Sequence, residues 1–313
     1  MKGPIVVDGA TGYVGSHLIA ALAENGFAVR CLVHKGASNR DIEFLKSLNA
    51  KVYVADLENA SPALSEAFSG AQIAVHLIGS IAPPKGETMQ NLHVNQTDQL
   101  VKLCQENGIK KVVMVTALGS SSEAASNYHS TKWQAEELVR SSGLNYVIMR
   151  PSLIFGRQVG SRDSKLVARL IQAIESKPMV PLINGGVNLI QPIFIGDLVK
   201  ALVAVIERED LVNQTYELGG ANVISMKQFV DMLMDTLKTK KPVVGLPEPL
   251  AVLLATCMEA TSRVPLISRD QVRIAKNNNV CQTNDLSVKL GIEPRHIKAG
   301  LSTYQINAQE KTT

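Results

Sequence analysis

Residues 5–16 read IVVDGATGYVGS, an apolar run that breaks into Gly9-x-x-Gly12-x-x-Gly15 and then opens an amphipathic stretch. The pattern predicts a strand, a glycine-rich turn and a helix, the arrangement that receives a dinucleotide pyrophosphate. The three glycines serve different ends. One allows a sharp turn at positive φ, one lets the backbone approach the phosphates, and one lets the helix pack closely on the strand. Unbonded N–H groups at the helix start, with the helix dipole behind them, then hold the anion. Three glycines alone are a weak signal; their place between a strand and a helix carries the reading.

Outward from this stretch, short apolar runs alternate with helical patterns. Strands are expected at Ile5–Asp8, Val29–Val33, Val52–Val54, Ala74–Ile78, Val112–Thr116 and Tyr146–Arg150. Helices are expected at Gly15–Glu24, Asp41–Leu48, Ser61–Phe68, Asn91–Glu106 and His129–Ser141. Such alternation predicts an α/β fold, a doubly wound parallel (Rossmann) sheet that takes ligands at the carboxyl ends of its strands. Beyond Pro151 the regularity loosens, although a helix at Asp197–Glu207 and a strand near Tyr216–Leu218 still read clearly. The expected division is a dinucleotide-binding core over residues 1–155, rejoined around 190–220. A smaller, mostly helical lobe over 156–189 and 221–313 would cover the substrate.

The 313 residues are 45% apolar and 19% charged, enough for a sizeable core. The net charge of +4 has no dense Lys/Arg block, which suits a phosphate-bearing ligand or an anionic membrane surface and argues against nucleic acid. Cys31, Cys104, Cys257 and Cys281 lack metal or disulfide spacing, and His17, His76, His93, His129 and His296 lack ligand spacing, so no metal is expected. Met1-Lys2 leads straight into a core strand, and no apolar run reaches the ~18–20 residues of a membrane span. A cytoplasmic location follows as the expectation.

NAD-selective sites place an acid about 20 residues past the glycines, on the ribose 2′-OH. Here the second strand runs into His34-Lys35 instead, with Arg30 and Arg40 nearby, so NADP(H) is expected over NAD(H). Asp56-Leu57, after the third strand, suits the adenine edge, though Asp56 could equally just end the strand. Leu77-Ile78-Gly79 puts a small residue where the chain passes under the nucleotide. Tyr128 and Lys132 stand four apart, on one helix face. An adjacent ammonium would lower the phenol pKa, making Tyr128 a proton donor or acceptor for a carbonyl or alcohol, while Lys132 could also hold ribose hydroxyls.

GATGYVG, YHSTK with WQAEELVR, and IMRPSLIFG (148–156) resemble the short-chain dehydrogenase/reductase superfamily, in its extended or atypical branch. With QPIFIGDL (191–198), YELGG (216–220), PLISRDQV (265–272) and LGIEP (290–294), the chain most resembles the NADPH-holding accessory subunits of mitochondrial complex I and their bacterial relatives. The resemblance implies that Gly9, Thr11, Gly12, Tyr13, Val14 and Gly15 line the pyrophosphate, with Arg30 and His34 near the adenosine phosphate. It implies that Lys132 holds the ribose and that Pro151 to Ile154 border the nicotinamide. The family also places a Ser or Thr near the end of the fifth strand to polarise the carbonyl. Thr116 aligns with that residue in the atypical branch, but in the register of many extended members the place falls on Leu118, and Ser120, Ser121 and Ser122 remain candidates.

Asn95 falls where the superfamily often has an Asn tied to backbone or water, or it is a plain surface amide. Asp197 reads as a helix N-cap. Leu246 to Met258 could seat an apolar face on a membrane or partner, or cover the domain's own core. Two functions stay open. One is an NADP(H)-dependent reductase or dehydrogenase with a small-molecule substrate, which the resemblance suggests to be quinone-like or lipidic. The other is an accessory protein that holds NADPH at a respiratory or quinone-related complex, at the membrane periphery. Helices flanking Tyr128 pair in related proteins, so a homodimer is a candidate state.

Overall fold

The apolar runs assemble into one parallel sheet in the computed structural model, which describes residues 3–83, 86–261 and 267–305. Six strands come from the amino-terminal half: β1 (Ile5–Val7), β2 (Val29–Val33), β3 (Lys51–Val54), β4 (Ile73–His76), β5 (Lys111–Val115) and β6 (Asn145–Pro151). Short strands follow: β7 (Ile154–Phe155) pairs with β10 (Ile193–Phe194), β8 (Val180–Ile183) with β13 (Val243–Leu246), and β9 (Leu189–Ile190) with β12 (Ile224–Ser225). Strand β11 (Gln214–Leu218) returns to the main sheet, whose order is β11-β6-β5-β4-β1-β2-β3. The order reverses between β1 and β4, the crevice where such sheets receive ligands.

Residue parity explains why both faces are covered. Ile5 and Val7, Val113 and Val115, and Val147 and Met149 face one core, with α1 (Tyr13–Glu24) and α7 (Ile195–Glu207) packed over it. Val6, Val112, Met114 and Ile148 face the other core, under α3 (Pro62–Phe68), α4 (Gln96–Glu106) and α5 (Asn127–Ser141). A strand buried on both sides is apolar along its run, which is why Val112 to Val115 of β5 show no polar alternation. The remaining helices used below are α2 (Asn39–Ser47), α6 (Lys165–Ser176), α8 (Met226–Thr236), α9 (Glu248–Thr261) and α10 (Arg269–Ile274).

Three expectations change. Helix α5 starts at Asn127 rather than His129, because Ser126 caps it by accepting from His129 N–H. The stretch at Asn91 is not one continuous α-helix: Gln90–Asn95 is a π-helical turn ahead of α4, and it turns His93 inward. Asp197 is not an N-cap. It sits inside α7, buried, and accepts the backbone N–H of Arg295 at 2.6 Å. Pro265 and Leu266 of the PLISRDQV segment lie outside the described residues.

Candidate nucleotide and catalytic site

The turn after β1 has the shape of an anion cradle. Gly9 holds φ at +59°, and a Cβ there would meet the Leu77 carbonyl carbon at 2.9 Å. A Cβ on Gly12 or Gly15 would stand 2.9 or 2.4 Å from the Gly9 carbonyl oxygen, so only glycine permits so tight a turn. Gly12 caps α1 and offers no side-chain acceptor to the first-turn N–H groups of Tyr13, Val14 and Gly15. Thr11 is buried in the turn beside them. Asp8 fastens this turn to the end of β4: its carboxylate meets His76 Nδ1 at 2.5 Å and accepts from the N–H of Leu77 (2.7 Å) and Ile78 (3.2 Å). These residues fit a dinucleotide pyrophosphate.

Lys132 lies at the adjoining strand ends. Its buried ammonium donates to the carbonyls of Ile78 (3.1 Å) and Val115 (3.4 Å). Gly79 makes room, since a Cβ there would be 2.4 Å from Lys132 Nζ. Burial pulls the Lys132 pKa down to about 8, against the opposing pull of Asp8 and Glu136. Gly79 therefore abuts the lysine, Leu77 stands two residues before it in the same loop, and Asp56 and Leu57 follow β3. Pro151 ends β6 and accepts the Leu118 N–H at 3.0 Å, with Ile154 opening β7 beyond it.

The lowered pKa has a testable consequence for stability. The unfolded chain holds its proton up to about the ordinary lysine value of 10.5, whereas the folded one releases it near 8. The penalty is therefore full below pH 8 and fades as pH rises toward 10.5. Relative to Lys132→Met, wild type should gain on the order of 3 kcal/mol of unfolding free energy across that window. Urea titrations of both proteins at about pH 7.5 and about pH 10.5 check this, and a pH-independent difference would refute it.

Tyr128 stands one turn before Lys132 on the same helix face, its ring edge-on to His93 at 5.5 Å. The expected lowering of its pKa is not found. Burial pushes the phenol up to about 12 instead. Sequence reasoning singled out Asn95 in this stretch and missed the part played by His93. Asn95 is exposed and only bonds Asn91, whereas His93 is fully buried. His93 Nε2 accepts the Ser80 N–H (3.2 Å), which puts its proton on Nδ1, facing Thr131 Oγ1 at 2.8 Å. Burial, then the Lys132 charge, push its pKa down to about 2, so the ring is a neutral prop between the loop after β4 and α5. Thr97, one turn on, is likewise buried and donates its hydroxyl to the His93 backbone carbonyl.

Two expected site residues sit elsewhere. Thr116 has the parity of Val112 and Met114, so its hydroxyl faces α5 and donates to Glu136 at 2.6 Å. Glu136 lies eight residues beyond Tyr128, about 12 Å down the helix, too far to serve the phenol. Leu118, which continues the strand ladder, brings no hydroxyl; Ser120 bonds the Ala117 carbonyl, and Ser121 and Ser122 are exposed. Arg30 lies near the amino end of β2, and its guanidinium caps α3 through the carbonyls of Glu66, Ala67 and Ser69. It is about 13 Å of strand away from the carboxyl end of β2, where His34 stands.

Beside α5 opens a cavity of about 540 Å³, bordered by Ile81, Pro83, Met89, Asn127, Thr131 and Glu259. Asp270, also at its wall, accepts the N–H groups of Asn127 (2.7 Å) and Tyr128 (3.0 Å) and so holds the amino end of α5.

A family model described as NAD(P)H-binding matches residues 9–168, and a second, for the RmlD substrate binding domain, matches residues 120–304. The chain belongs to the NAD(P)H-binding family. It is of the extended short-chain dehydrogenase/reductase type, an NAD(P)-binding oxidoreductase scaffold. It is 24% identical to the NADH dehydrogenase [ubiquinone] 1 alpha subcomplex subunit 9 of Arabidopsis thaliana, over 93% of this chain and 74% of that one. It is 26% identical to the ceramide reductase of Caulobacter vibrioides, over 65% of this chain and 61% of that one. A solved UDP-glucose 4-epimerase from Thermotoga maritima shares the fold with a TM-score of 0.76 at 18% identity, covering 99% of this chain and all of the other. Among the described residues, no helix is long and apolar enough to cross a membrane.

Proposed function

We propose that the chain is an NADP(H)-dependent oxidoreductase acting on a carbonyl/alcohol pair, with an apolar, lipidic or quinone-like substrate. The observation that carries this is the Tyr128–Lys132 face of α5, set beside the glycine cradle at the carboxyl ends of β4 and β5. A bound reduced nicotinamide would supply two electrons as hydride to the carbonyl carbon. Tyr128 Oη would give its proton to the carbonyl oxygen. Lys132 would hold the ribose hydroxyls, and Pro151 to Ile154 would wall the ring. The cavity at the amino end of α5 would receive the substrate, with residues 156–189 and 221–313 forming the covering lobe. The similarity to a protein named ceramide reductase supports the lipidic class.

A second reading has its own observation. Helix α9 buries only Ala251 and Ala255 and leaves Leu250, Val252, Leu253 and Leu254 exposed, a face suited to a partner or membrane surface. With the Thr116 hydroxyl turned to Glu136, and with the likeness to complex I subunits, this supports an NADPH-holding accessory protein at the membrane periphery. One experiment separates the two: NADPH-loaded protein is mixed with long-chain aldehydes, ketones and quinones, and absorbance at about 340 nm is followed. Catalytic oxidation over many turnovers is the expected result. Bound NADPH that stays reduced throughout, in protein that co-purifies with a respiratory complex, would replace it with the accessory reading.

A further inference from the structure

Between β7 and α6 the chain runs as a strap across the nucleotide groove, and its contacts fall at successive points of that groove. At one end Tyr13 Oη donates to the Gly156 carbonyl (2.6 Å), and His17 meets the Arg157 carbonyl (3.0 Å). Gly160 lies so close on α1 that a Cβ there would be 2.5 Å from Ser16 Oγ. Ser161 donates to Asp41 at the start of α2, and at the far end Lys165 donates to Ser80 Oγ (2.6 Å) and to the Ala82 carbonyl (3.2 Å). The strap therefore touches the pyrophosphate turn, the end of β2 and the loop after β4.

In its middle, Arg162 meets His34. The Gly36 N–H donates to His34 Nδ1 at 3.0 Å, which leaves Nε2 as the ring nitrogen that carries hydrogen. Arg162 Nη2, which can only donate, stands 3.4 Å from that same Nε2. Two donors facing each other make no hydrogen bond, so an acceptor placed between them would be held by both. Lys35 and Arg40 add positive charge nearby in the chain. The local acids, Asp41 and Asp163, already accept from Ser38 and Ser161 and from the Ser164 N–H respectively. Both donors are exposed, at the end of β2 where the adenosine ribose of a dinucleotide lies in this class of sheet.

We propose that Arg162 and His34 together form the seat of the adenosine 2′-phosphate, and that Arg162 sets the choice of NADPH over NADH. This rests on the nucleotide reading of the cradle and adds a residue 128 positions away from the strand end it serves. The probes are NADPH, NADH and 2′,5′-ADP, titrated calorimetrically into wild type, Arg162→Ala and Arg162→Lys. Arg162→Ala should weaken NADPH and 2′,5′-ADP by about 10–100-fold, the scale of a charge-assisted hydrogen bond, and leave NADH within about twofold. Arg162→Lys, which keeps the charge, should fall between. Equal weakening of NADPH and NADH would make the strap a purely structural brace and overturn the assignment, as would unaltered NADPH binding. Wild type that binds neither nucleotide would remove the cradle reading and this assignment together.

Discussion

Phenylalanine at position 128 is expected to slow NADPH-dependent reduction of an accepted carbonyl by about 10²–10⁴-fold, the usual contribution of a positioned general acid. NADPH affinity should stay within about twofold, because the ring and its edge contact with His93 survive the change. The pH profile sharpens the test. Burial keeps the phenol protonated up to about pH 12, so it supplies no inflection between about pH 6 and 9. Lys132 titrates near 8, so kcat/KM should fall above that value as the ammonium is lost. Steady-state rates for Tyr128→Phe and wild type from about pH 6 to 10 check both statements. An undiminished rate in the variant would remove Tyr128 from the chemistry and favour the accessory reading.

The largest effect on stability is expected at Glu136. Its carboxylate is fully buried and takes the Thr116 hydroxyl (2.6 Å), Arg150 Nε (2.9 Å) and Arg140 Nη2 (2.8 Å). Arg140 and Arg150 are themselves mostly covered, so removing the acid takes the buried carboxylate from Arg150 and leaves Arg140 to Glu137 and Thr215. Glu136→Ala should cost about 3–5 kcal/mol, read as a lowered urea midpoint. Glu136→Gln, which keeps the shape and some of the bonds, should cost less. A loss below about 1 kcal/mol for the alanine variant would mean that the cluster is solvated and weak. Since Glu136 fixes α5 against β5 and β6, it also fixes the height at which Tyr128 and Lys132 emerge.

The sheet was legible because burial on both faces forces continuous apolar runs, and Val112 to Val115 or Val147 to Met149 can hardly be read otherwise. The cradle was legible because tight turns demand glycine at fixed spacing, and the Tyr128–Lys132 pair because four residues make one helical face. What failed were single-residue orientations. Thr116 and Arg30 both lie in or beside strands that were placed correctly, but parity turns each side chain toward the α3–α5 layer instead of the ligand edge. Contacts such as His34 with Arg162, or Asp270 with the first turn of α5, join residues 128 to 143 positions apart, and neither partner carries a local signal of the other. His93 was hidden differently: a one-residue expansion of the helix into a π-turn changes which side chains point inward.

Asp270 gives the late part of the chain a hold on the early part. A negative group from α10 sits on the positive end of the helix that carries Tyr128, so anything that levers α10 outward would slacken the mounting of the phenol itself. On the proposed function, occupancy of the neighbouring cavity and readiness for proton transfer would then rise and fall as one event.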